Sequence, residues 1–138
     1  MLFRSRLQEE LMIYLASPYS HQDKSIEAFR YDAACRAVAT YMKMGYTIFS
    51  PIAGSHPVFM VDPEIGGNWE AWQKLDKDLI DASEELWVLM LEGWRESKGV
   101  NAEMEYAKSK SKPIKYVDRE GNIYDPKGLT PHFSSATV

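Results

Sequence analysis

Leu11-Met12-Ile13-Tyr14-Leu15-Ala16 is a continuous apolar run closed by Ser17-Pro18, the pattern of a buried strand stopped by a turn. From Ser25 to Met44 the positions Ile26, Phe29, Ala33, Ala37 and Tyr41 recur at spacings of three and four, which predicts a helix with that face inward. Gly45 stands where a helix C-cap residue belongs. Tyr46–Phe49 reads as a second strand, stopped by Ser50-Pro51. Residues 50–67 are rich in Pro, Gly and His and predict a long loop, a feature that inside a small domain is usually functional. A second helix is expected from about Asn68 to Ala82, with Trp72, Leu75, Leu79 and Ala82 on one face. Glu85–Leu91 is the clearest strand, apolar for six residues as central parallel strands are. A turn at Glu92–Ser97, a third helix from about Gly99 to Lys110, a fourth strand at Pro113–Val117 and a turn at Glu120-Gly121-Asn122 follow.

Strands alternating with helices predict an α/β fold: a mostly parallel, doubly wound sheet of four to five strands with helices on both faces. The 138 residues fit one domain over 11–125, with a polar extension at 1–10 and an aperiodic tail at 126–138. The net charge of −4 and the lack of a basic stripe argue against nucleic acid as a partner. The acidic excess sits in the second half: residues 1–60 carry 5 acidic and 6 basic groups, residues 61–138 carry 15 and 10. One cysteine, Cys35, excludes an internal disulfide framework and fits a reducing cytoplasm. No apolar run is long enough to span a bilayer, so no membrane association is expected.

In sheets of this kind ligands bind beyond the carboxyl ends of the strands. That selects three loops: Ser17–Lys24, Ser50–Gly67 and Glu92–Gly99. Ser97-Lys98-Gly99 opens a helix directly after the apolar strand. Ser97 there is either an ordinary N-cap or part of an anion site built on the free N–H groups of the first turn. Glu103 lies three residues after Val100 and four before Ala107, which places a carboxylate on the face that turns toward the sheet. Asp76, four residues after Trp72 and four before Ile80, repeats the oddity. Two carboxylates bordering buried faces either divide nucleophile and acid–base roles or are two partly exposed surface acids. No metal-ligand spacing, Gly-x-Ser-x-Gly elbow, Gly-x-Gly-x-x-Gly turn or Walker A sequence is present, so no metal and no cofactor are expected. The four tryptophans read as core, with Trp94 kept as a candidate wall for a flat ring.

Three segments together resemble the nucleoside 2-deoxyribosyltransferase superfamily, which includes the 2′-deoxynucleoside 5′-monophosphate N-glycosidases. They are Ile13-Tyr14-Leu15-Ala16-Ser17-Pro18-Tyr19, Asp76 eight residues before Glu84, and Ser97-x-Gly99-Val100-x-x-Glu103-x-x-x-Ala107. The likeness is nearest to an uncharacterised bacterial and phage branch, marked by Ser50-Pro51-Ile52, Ser55-His56-Pro57 and Glu85-Leu86-x-Val88-Leu89; it covers about Met12 to Val117. The resemblance implies a flavodoxin-like fold, a homodimer or higher homo-oligomer, and a nucleoside or nucleotide as small-molecule partner. It implies that Glu103 attacks C1′ of a deoxyribosyl group, that Asp76 shuttles a proton to the leaving base, and that Tyr14 holds Glu103. Ser97 in place of an aspartate favours a 5′-phosphate over a free 5′-hydroxyl. The resemblance extends the substrate site to Ser17, Pro18, Tyr19, His56 and Gly99. The Gly-rich turn of the monophosphate hydrolases is replaced by Ser17-Pro18-Tyr19-Ser20-His21, and Arg30 either supplies the missing positive charge or snorkels from its helix. A non-catalytic nucleotide-binding module is the alternative. A phosphoribohydrolase of the cytokinin-activating type lacks its Pro-Gly-Gly-x-Gly-Thr stretch here.

Overall fold

A computed structural model describes residues 11–126; the expected extension at 1–10 and the tail beyond 126 lie outside the described residues. The elements are β1 (Met12–Ala16), α1 (Lys24–Lys43), β2 (Thr47–Phe49), α2 (Pro51–Val61), a 3-10 turn (Pro63–Ile65), α3 (Trp69–Ala82), β3 (Glu85–Leu89), α4 (Lys98–Ser109), β4 (Ile114–Val117) and β5 (Ile123–Tyr124). The sheet order is β2-β1-β3-β4-β5. Every pairing is parallel except β4 with β5, a short antiparallel edge closed at Gly121. This is the flavodoxin-like doubly wound fold.

Side-chain alternation along β1 and β3 builds the two faces. Ile13, Leu15, Trp87 and Leu89 join Ala33, Ala37 and Tyr41 of α1 in one core. Tyr14, Ala16, Leu86 and Val88 join Ile80 of α3 with Val100 and Ala107 of α4 in the other. From β1 the chain passes through α1 to β2 on one side of β1 and reaches β3 on the other, so the loops after β1 and β3 flank the topological switch point, where a crevice is expected.

Three sequence expectations need correction. Residues 50–67 are not a structureless loop: α2 starts at Pro51, with the Ser50 hydroxyl accepting from the Ala53 N–H and proline at the first helical position. Gly54 and Pro57 depress helix propensity inside it, and it leaves Val58, Met60 and Val61 exposed, so it shows no amphipathic period. Phe29 is 49% exposed beneath the Arg119 guanidinium, and the buried stripe of α1 runs instead through Ala33, Ala34, Ala37 and Tyr41. Leu75 is also 49% exposed, because α3 turns Asp76 and Ile80 inward. Among the described residues no helix is long and apolar enough to cross a membrane.

Candidate active site

Three elements of the second face converge on one point. Tyr14 is fully buried on β1. Its hydroxyl donates to Glu103 Oε2, across from α4. Glu103 is 4% exposed and Asp76, on α3, is 8% exposed. Each owes its inward direction to helical spacing: Asp76 precedes Ile80 by one turn, and Glu103 lies between Val100 and Ala107. Among the described residues only two buried side-chain polar atoms lack a hydrogen-bond partner, Ser17 Oγ and Asp76 Oδ1. Both residues line the same open cavity of about 380 Å³. Buried polar atoms are normally satisfied, so two orphans in residues that line one cavity single out this part of the molecule.

Burial pushes the Glu103 carboxyl well above its ordinary range, the negative charge of Asp76 pushes it further, and the Tyr14 hydrogen bond opposes both. Burial also raises Asp76, to about 6, against a smaller opposing pull from the Tyr14 hydroxyl. The Tyr14 phenol is itself raised by burial and by the two carboxylates, so it stays protonated as a donor. Both carboxyls hold their protons more tightly than free carboxyls do, and their titration belongs to the pair.

The rim is built from the loops. Ser97 caps α4, its Oγ accepting from the Val100 N–H at 3.2 Å, which leaves its own proton free to donate. Arg30 reaches from α1 to donate to the carbonyls of Tyr19, Ser20 and Glu92, which ties the loop after β1 to the loop after β3. Gly93 makes room for it: φ is +91°, and a Cβ would stand 2.7 Å from Arg30 Nη2. Lys98 is occupied by Glu70 across the cavity mouth at 2.6 Å.

Of the residues singled out from sequence, Glu103, Asp76, Ser17, Tyr19, Arg30, Ser97 and Gly99 line the cavity, and Tyr14 stands behind Glu103. Pro18, His56 and Trp94 do not line it either. Pro18 is fully buried in the turn. His56 is bonded to Tyr19 and stacked on Tyr31. Trp94 tilts against Tyr116 with Arg95 over its ring. Beside Tyr19, the aromatic lining comes from Trp69 and Trp72, read from sequence as core. Trp72 is fixed by donation from Nε1 to the Gly66 carbonyl at 2.8 Å. Ile52 and Ser55 also line the cavity, and the missing helix α2 hid them.

Fold and site together define a doubly wound α/β protein with a paired-carboxylate cavity at its topological switch point. Residues 11–119 match the family described as Domain of unknown function (DUF1937), and the chain belongs to that family. No curated protein matches the chain.

Proposed function

We propose that the protein cleaves or transfers the N-glycosidic bond of a 2′-deoxynucleoside or its 5′-monophosphate through a covalent Glu103 intermediate. The observation that carries this reading is the buried Glu103 carboxylate, held on one oxygen by Tyr14, with Asp76, one of whose oxygens is buried without a partner, lining the same cavity. Burying two coupled carboxylates is costly, and a protein that only binds a nucleotide has no use for the pair.

The chemistry needs one proton on the pair. Burial favours that proton on Glu103, so it must move to Asp76 before attack, and the productive tautomer has Asp76 protonated and Glu103 ionised. A Glu103 oxygen attacks C1′, the C1′–N bond breaks, and its electron pair leaves with the base, which takes the Asp76 proton. Asp76, now ionised, removes a proton from water or from a second base as that acceptor attacks C1′ and releases Glu103. Two displacements retain the configuration at C1′. Tyr14 keeps Glu103 aimed throughout.

For the 5′ end, the Ser97 hydroxyl, the first-turn N–H groups of α4 and the Arg30 guanidinium are what a phosphate would meet. Glu70 neutralises Lys98, so Arg30 and the helix end supply the positive field. The resemblance of Ser97 to the serine of monophosphate hydrolases supports a nucleotide over a free nucleoside. The test is incubation with a panel of deoxynucleosides and their 5′-monophosphates, followed by chromatography for free base. Release from at least one is expected; release from none, at enzyme concentrations near the substrate's, overturns the proposal.

A further inference from the structure

We propose that Tyr19 is a preset wall for the flat ring of the ligand, and that His56, which does not line the cavity, is the positioning residue that holds it; this rests on the N-glycosidic reading above. Tyr19 lines the cavity yet is only 8% exposed, so its ring is packed in place. It is held at both ends. Its backbone carbonyl accepts from Arg30, and its hydroxyl is bonded to His56 Nδ1 at 2.6 Å. The neighbouring Ser20 hydroxyl donates to the Gly67 carbonyl at 3.1 Å, which anchors the same loop to the entry of α3. His56 is fixed in turn: its ring lies on Tyr31 at 4.1 Å with only 22° between planes, whereas it meets Tyr19 edge-on at 79°. A buttress of two rings therefore runs from α1, through α2, to the cavity wall. Trp72, pinned through its own Nε1, lines the same cavity.

A wall ordered before binding spares the ligand the entropy of ordering it, so affinity for the flat ring should depend on His56 although the imidazole does not line the cavity. The chemistry of the bond selects the variants. His56→Phe keeps the stack on Tyr31 and removes the bond to Tyr19. His56→Asn places an amide at the reach of Nδ1 and restores the bond. Tyr19→Phe keeps the ring and removes its hydroxyl.

The test is calorimetric titration of the full chain carrying Glu103→Gln, so that ligands are not consumed. The probes are the four deoxynucleosides, their 5′-monophosphates, and a ring-less control, 2-deoxyribose or its 5-phosphate. The tightest nucleoside or nucleotide should weaken about tenfold on adding His56→Phe or Tyr19→Phe, and the double variant should be no worse than either single one. His56→Asn should stay within about threefold of the parent, and the ring-less control should be unchanged throughout. Equal losses for the ring-less control would show a collapsed site and overturn the inference. A nucleotide that binds equally well with and without the His56 bond overturns it too and leaves the glycosidic reading intact. Binding of no probe by the parent ends both.

Discussion

Replacing Asp76 by Asn should make the protein more stable while abolishing its chemistry. Asp76 is 8% exposed, and its Oδ1 has no partner among the described residues. Burial raises its carboxyl from 3.8 to about 6. A carboxyl raised by folding costs stability when it ionises. The cost is fully present above pH 6, shrinks as pH falls through the window from 6 to 3.8, and is gone below it. A shift of about two pKa units corresponds to about 3 kcal/mol. For a domain of this size that is on the order of 10 °C in Tm. Asparagine keeps the shape and never carries the charge, and its neutrality also relieves the upward push of Asp76 on Glu103. Thermal denaturation at about pH 7.5 should therefore show the Asn variant melting well above the parent, and at about pH 3.5 the two should converge. Base release should fall by roughly a thousandfold, because the proton for the leaving base is gone. An Asn variant no more stable than the parent at neutral pH, or equally stabilised at both, would refute the claim that burial of this charge is a standing cost.

Glu103→Gln should fold as well as the parent or better and lose about four orders of magnitude in base release, since an amide cannot attack C1′; a well-folded variant that turns over normally removes Glu103 from the chemistry. Gly93→Ala should cost about 1–2 kcal/mol through strain at positive φ. It should also displace Arg30, whose Nη2 would stand 2.7 Å from the new Cβ. If Arg30 supports the phosphate end, KM for monophosphates should rise while KM for nucleosides holds. We expect a homodimer, in line with the resemblance. Light scattering should give a mass about twice 15.8 kDa at micromolar concentration, and a monomer mass would refute it.

The sheet was legible because its strands are short apolar runs bounded by Ser-Pro, Gly or turn residues, and nothing competes with that pattern at Ile13–Ala16 or Leu86–Leu89. The carboxylates were legible for the opposite reason: Glu103 and Asp76 break an apolar helical face, and a broken face is visible in one dimension. Helix α2 was hidden because Gly54 and Pro57 speak against it and its apolar residues face outward, so its start signal, Ser50-Pro51, read as the end of a strand. Spacings of three and four around Phe29 and Leu75 fit two adjoining helix faces, and only the packed sheet decides between them. The Tyr19–His56–Tyr31 buttress joins residues 37 and 25 positions apart, and no local pattern announces such a contact.

Mass spectrometry of the acid-quenched reaction looks for the proposed covalent bond between Glu103 and C1′ itself. Parent protein mixed with its best deoxynucleoside or monophosphate, quenched within the first turnovers and digested, should yield a peptide whose Glu103 carries one deoxyribosyl or deoxyribosyl-phosphate group. The adduct should be missing from the Glu103→Gln variant. Rapid base release with the adduct on another residue, or with no adduct at any quench time, would rule out Glu103 as the nucleophile.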